Sequence, residues 1–114
     1  MITSRVSENE KRVYVNVNGY ISKKDAREFL ANYKNSTKGM KLSQYNLVVT
    51  PSVFECEDNE DIRTTCMAFV KSGYKRIYLV DEKKSLMSAM SLKPMEKKIF
   101  LKSVKIVSNI NLIK

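Results

Sequence analysis

The residues of this chain best suited to chemistry lie in one short run, Glu55-Cys56-Glu57-Asp58-Asn59-Glu60-Asp61. Such closely spaced carboxylates could share protons or offer the oxygen ligands that Mg²⁺ and Ca²⁺ prefer. The Asp-x-Asp-x-Asp-Gly spacing of a calcium loop is missing, so neither a metal nor another cofactor is expected. Cys56 and Cys66 match no zinc or thioredoxin spacing. The chain has no histidine, which removes the commonest general base and leaves too few ligands for a zinc site. A Ser-His or Cys-His pair therefore cannot form within the chain. No glycine-rich phosphate loop and no Gly-x-Ser-x-Gly elbow occur. Cys66 falls on an apolar helical face, where a buried, inert thiol is expected. Cys56 sits among carboxylates, which should raise its pKa rather than activate it. No catalytic residue is assigned.

Charge is the second feature that could act on a partner. The chain carries a net charge of +9, unevenly placed. Residues 1–50 and 71–114 are strongly basic, whereas residues 51–70 hold five acidic groups and one basic group. Lys71, Lys75 and Arg76 cluster around the end of one predicted helix, with Tyr74 among them. Lys93, Lys97, Lys98, Lys102 and Lys105 form a second group. Lys98, Lys102 and Lys105 share one side if a helix persists that far. These groups define an alternative site for nucleic acid or another anion: Lys71, Lys75, Arg76, Lys98, Lys102 and Lys105. Any amphipathic helix needs such a polar face, however, and low arginine content weakens base or bidentate phosphate readout.

The elements that must position these residues follow from periodicity. Ile2–Ser7 is a weak strand, and Glu8 to Lys11 can turn the chain. Arg12–Ile21 alternates, with Val13, Val15 and Val17 on one side, as a half-buried strand does. Ser22 and Asp25 resemble a capping box. Ala26, Phe29, Leu30 and Tyr33 then lie on one face of a helix running from about Lys23 to Lys38, stopped by Gly39. Tyr45–Thr50 holds a continuous apolar run, which argues for a strand covered on both faces and ended by Pro51. Asp58 or Asn59 caps the next helix, whose stripe is Ile62, Cys66, Phe69 and Val70 and whose stop is Gly73. Arg76–Val80 is another buried strand. A helix follows with Leu86, Met87, Ala89 and Met90 on its apolar side. Beyond Pro94 a second short helix, Met95–Ser103, turns Met95, Ile99 and Phe100 inward. Val104–Leu112 reads as a last strand. Leu86, Met87, Met90 and Met95 are expected in the core rather than on a lipid surface.

This order, β-β-α-β-α-β-α-β, implies a mainly parallel sheet of 4–5 strands with 3–4 helices and an antiparallel opening edge. It resembles the SpoIIAA-like fold of STAS domains, the anti-sigma factor antagonists. The resemblance rests on Val13–Ile21 entering the capped helix, on Leu47-Val48-Val49 leading to Asp58-Asn59-Glu60-Asp61-Ile62, and on Arg76-Ile77-Tyr78-Leu79-Val80 before a helix. It implies an α/β sandwich acting as a protein–protein interaction module. In that family an Asp-Ser-Ser/Thr-Gly loop opens a helix, and its first serine is phosphorylated. Here Asp58 takes the aspartate position, Asn59 the serine position, and Glu60 and Asp61 replace Ser/Thr-Gly. The phosphoswitch is therefore expected to be absent.

At 114 residues the chain fits a single α/β domain spanning residues 1–114. No apolar run approaches membrane-spanning length, so no stable membrane insertion is expected. Met1 to Glu10 is polar and unlike a signal peptide, and a cytoplasmic location with reduced thiols is expected. The function expected is a non-enzymatic STAS-like module that binds another protein through Asp58, Asn59, Glu60, Asp61 and Thr65. Weak binding of nucleic acid or an anion is the alternative.

Overall fold

Five strands lie side by side in the order in which the chain makes them. The computed structural model describes residues 1–81 and 85–113. The strands are β1 (Ile2–Ser7), β2 (Arg12–Ile21), β3 (Asn46–Cys56), β4 (Arg76–Val80) and β5 (Val104–Val107). β1 and β2 form an antiparallel hairpin, and β2, β3, β4 and β5 pair in parallel. The helices are α1 (Lys23–Thr37), α2 (Asn59–Lys71), α3 (Ser85–Met90) and α4 (Pro94–Ser103). Short 3₁₀ turns occupy Leu42–Gln44 and Ile110–Leu112. The mainly parallel sheet with an antiparallel edge is the architecture expected from the sequence.

Each parallel connection steps one strand in the same direction. With right-handed crossovers, that places every crossover helix on one face of the sheet. The main core lies there. Val13, Val15 and Val17 of β2, Leu47 and Val49 of β3, and Ile77 and Leu79 of β4 pack with Phe29, Tyr33, Ile62, Cys66, Phe69, Leu86, Met90 and Phe100. The ring of Tyr33 meets that of Phe69 edge-on, with centroids 5.0 Å apart. Its hydroxyl donates to Ser72 Oγ at 3.2 Å and also pairs with the hydroxyl of Tyr74. The opposite face holds a smaller cluster of Val48, Tyr78, Val107 and Ile113. Val48 is thus covered on the second face, as its continuous apolar run implied. One row across this face runs Arg5, Tyr14, Val48, Tyr78, Lys105 in register. The Arg5 guanidinium lies 4.6 Å from the Tyr14 ring centroid.

The helix boundaries follow local chemistry. Ser22 Oγ accepts from Asp25 N–H, and the Asp25 carboxylate accepts from Ser22 N–H, each at 3.0 Å. This reciprocal box satisfies two backbone donors that a helix end leaves free. Hydrogen bonds from Ser22 hold the Asp25 carboxyl below its ordinary pKa. α2 closes at Gly73, whose φ of +83° is a left-handed conformation that a Cβ would strain. At the end of β4 the buried Asp81 side chain accepts from Leu86 N–H at 3.1 Å and from Met87 N–H at 3.3 Å. One carboxylate therefore ties the last long core strand to the first turn of α3.

Three expectations are corrected. β3 does not end at Pro51 but runs on to Cys56. Among the described residues β4 pairs with β3 only as far as Val49, and none of them pairs with that side of β3 beyond it. A proline, lacking an N–H, is tolerated at such a strand edge. The inward helix side expected of α4 is also wrong in part. Phe100 is buried, but Met95 is 76% and Ile99 50% exposed. Finally, β5 stops at Val107, and Ile110–Leu112 turns as a 3₁₀ segment, capped by Asn109 accepting from Asn111 N–H. Of the apolar stripe expected beyond Ser85, Leu86 and Met90 are buried in the core and Met87 is half-buried.

Asp81→Ala should destabilise the domain by about 2 kcal/mol, because two N–H groups lose a buried acceptor. Asp81→Asn, which keeps an acceptor, should cost less. Urea unfolding of the two variants checks this, and equal costs would show that the paired acceptor is not what matters.

Burial pushes the Cys66 thiol up to about 12. The unfolded thiol ionises at about 8.5. The folded form binds the proton more tightly, so stability is full below that pH and declines as pH rises above it. Tyr33 and Tyr74 are shifted upward as well, by burial first, and act with the same sign at higher pH. The urea midpoint should fall between about pH 8 and 10, and Cys66→Val should flatten the early part of that slope. Identical slopes in the two proteins would reject the assignment to Cys66.

Candidate functional site

The acidic run begins inside a strand and ends inside a helix. Between Val17↔Pro51 and Gly19↔Phe54, β3 advances one residue more than β2. This is a β-bulge. It restores Phe54 and Cys56 to the core side, where Leu47 and Val49 already face. It also leaves Val53 90% exposed, an unusual position for a valine within a strand. Gly19 at φ +67° lies opposite the bulge. Glu55 and Cys56 then complete β3, and Asp58 caps α2.

Several of the carboxylates already have partners in the fold. Asp58 Oδ1 accepts from Glu60 N–H at 2.9 Å. Its other oxygen lies 3.8 Å from Lys23 Nζ, in an exposed pair that contributes little. Glu57 Oε1 accepts from Lys23 N–H at 3.1 Å, and Glu57 N–H donates to the Ile21 carbonyl at 2.8 Å. The starts of α1 and α2 are thus stitched together by acidic side chains, which the positive ends of both helices favour. Glu60 is exposed and lies 3.4 Å from Arg63, one turn along the helix. Asn59 is exposed. Asp61 is half-buried, and its Oδ2 is enclosed without a hydrogen-bond partner among the described residues.

Of the five residues expected to contact a partner, Asn59 and Glu60 form an open surface. Asp58 is divided between capping and Lys23, and Asp61 is partly withdrawn. Thr65 does not share that surface: it is 3% exposed, with Oγ1 donating to the Asp61 carbonyl at 2.8 Å. One helical turn carries it to the inner side of α2. Val53 was missed by sequence reasoning, because Pro51 was taken as the strand's end. A one-residue slip in the inward pattern, from Val49 and Pro51 to Phe54 and Cys56, is the signal that could have revealed the bulge.

The thiols are poor nucleophiles. Cys56 is shifted upward by burial and then by the Asp61 charge, and Cys66 lies deep in the core. Among the described residues no three His, Cys, Asp or Glu side chains converge as a metal ligand set.

The basic residues meet at the other end of the strands. Lys75 and Arg76 at the start of β4, and Lys102, Ser103 and Lys105 where α4 passes into β5, line a groove of about 460 Å³. Leu101 and the backbone-flanking Ile77, Tyr78 and Val104 complete it, and no acidic residue is part of this lining. Four of the six residues in the expected anion site are therefore brought together. Lys71, at the end of α2, and Lys98, on the outer side of α4, are exposed outside the groove. A second groove, of about 580 Å³, lies between β1 and α1 and mixes Asp25, Glu28, Phe29, Asn32 and Tyr20 without convergent chemistry. No described helix is long and apolar enough to cross a membrane.

No family model and no characterised protein sequence matches the chain. Among solved structures, it is similar to an uncharacterized protein of the DUF3478 family from Shewanella loihica PV-4, described as having a SpoIIAA-like fold. That match has a TM-score of 0.58 at 10% identity and covers 97% of this chain and 87% of the other. A restriction endonuclease PspGI–substrate DNA complex matches at a TM-score of 0.42 and 14% identity, over 90% of this chain and 39% of that one, a likeness that carries no argument. An α/β domain with a mixed, mostly parallel five-stranded sheet, matching the first neighbour over nearly its whole length, has the SpoIIAA-like fold that the sequence resembled.

Proposed function

We propose that this domain is a non-enzymatic, STAS-like protein-interaction module of the cytoplasm, working through the start of α2. The observation that carries this reading is the exposed pair Asn59 and Glu60 on a capped helix end. A polar, acidic turn on an exposed helix end suits a protein partner bearing basic groups. Asn59 has no hydroxyl, so this turn is not switched by phosphorylation at that position. Phosphorylation would add charge to a turn that already carries carboxylates. Fold alone does not assign function, and the reading rests on this surface.

Asn59→Lys combined with Glu60→Lys tests it, because neither side chain is buried and Asp58 still caps the helix. The double variant should keep the wild-type circular dichroism and lose a few tenths to about 1 kcal/mol at most. A tagged pull-down from source-cell lysate, with nuclease, should recover a discrete protein with wild type and at least about tenfold less of it with the variant. Equal recovery by the folded variant rejects this surface. A broad set of proteins that disappears with nuclease would favour nucleic-acid binding at the basic residues instead.

A further inference from the structure

α4 is oriented in a way the core does not explain. Of its ten residues only Phe100 is buried. Met95 and Ile99, four apart and so on one stripe, are 76% and 50% exposed, and Leu101 is also exposed. A crossover helix normally turns its large apolar side chains to the sheet. Here two of the three expected inward residues point to solvent, and nothing among the described residues covers them.

All but one of the charges around this stripe are positive. Lys93, Lys97, Lys98 and Lys102 are all exposed on or beside the helix. Lys98 and Lys102, again four apart, run alongside Met95 and Ile99. Glu96, the one acidic residue of α4, accepts from Lys93 N–H at 3.1 Å and closes the helix start. At the far end of α4 the stripe runs into the groove of Lys75, Arg76, Lys102 and Lys105. α4 packs along β5, the last strand of the sheet, so its outer face stands on the flank of the domain.

We propose that this flank docks peripherally on an anionic lipid bilayer, with Met95 and Ile99 entering the headgroup region and the lysines meeting lipid phosphates. Exposed apolar side chains ringed by lysines match the chemistry of that surface: apolar below, anionic above. A nucleic acid would use the lysines but leave Met95 and Ile99 in water. A second copy of the chain would cover the apolar stripe but set lysine against lysine. Of these three surfaces the anionic bilayer satisfies both halves, and each lysine near it adds attraction that salt weakens. This contact is independent of the protein-binding surface at α2.

Co-sedimentation of the purified domain with vesicles tests it. The domain should pellet with phosphatidylcholine vesicles containing phosphatidylglycerol and stay in solution with phosphatidylcholine alone. Met95→Asp with Ile99→Asp, and separately Lys98→Glu with Lys102→Glu, should each weaken vesicle binding at least about tenfold. All four side chains are exposed, so both variants should keep the wild-type unfolding curve. Failure to bind anionic vesicles at low salt overturns the proposal. Undiminished vesicle binding by Met95→Asp/Ile99→Asp overturns it as well. So does tighter binding to a single-stranded oligonucleotide that those substitutions leave unchanged, which would point to nucleic acid. A dimer in sedimentation equilibrium that the same substitutions dissolve would assign the stripe to a second copy.

Discussion

The right-handed crossover is the constraint on which the rest of this structure depends. Parallel strands added one after another in a single direction leave the connecting helices no choice of side. One face of the sheet therefore receives α1, α2, α3 and α4, and with them nearly all of the core. The other face keeps only a small cluster around Val48 and Tyr78. The same rule fixes where each helix begins. Because α2 leaves the carboxyl end of β3, its acidic first turn must stand at that end, beside the start of α1. Because β4 and β5 begin at the opposite end, Lys75, Arg76, Lys102 and Lys105 must meet there.

Uneven charge along the sequence thus becomes uneven charge in space. The acidic segment between residues 51 and 70 folds into one end of the domain, and basic segments frame the other. Much of this is ordinary helix chemistry. Asp25, Glu57 and Asp58 serve backbone N–H groups at two adjoining helix starts. What exceeds that chemistry is small and specific: Glu60 and Asn59 in the open, Val53 on its bulge, and the outward stripe of α4.

Periodicity made the layout legible. Val13, Val15 and Val17 alternate because β2 has one core face, and Ser22 with Asp25 marks a helix start that forms as the spacing requires. Cys66 behaves as its place on an apolar stripe implied. The misreadings share a physical cause: local pattern was trusted where tertiary context decides. Pro51 ends a central strand but not one whose neighbour has already stopped. Met95 and Ile99 have the spacing of a core stripe, yet the short helix is rotated so that Phe100 alone reaches the sheet. Thr65 is polar and close in sequence to exposed carboxylates, but one helical turn takes it inward. Asp81 directly follows a strand, and only the folded chain brings the backbone of Leu86 and Met87 to its carboxylate.

The bulge in β3 has a consequence for how the protein behaves when crowded. Past Val49 no described strand pairs with one side of this strand, and such a side is the kind of edge on which strands of other molecules can grow. Pro51 removes a donor from that side. The extra residue near Val53 then bends the ribbon and breaks its repeat. A foreign strand would find neither a continuous ladder of hydrogen bonds nor a flat surface to follow. The irregularity that puts a valine in water thus also guards the sheet against polymerising through its own longest strand.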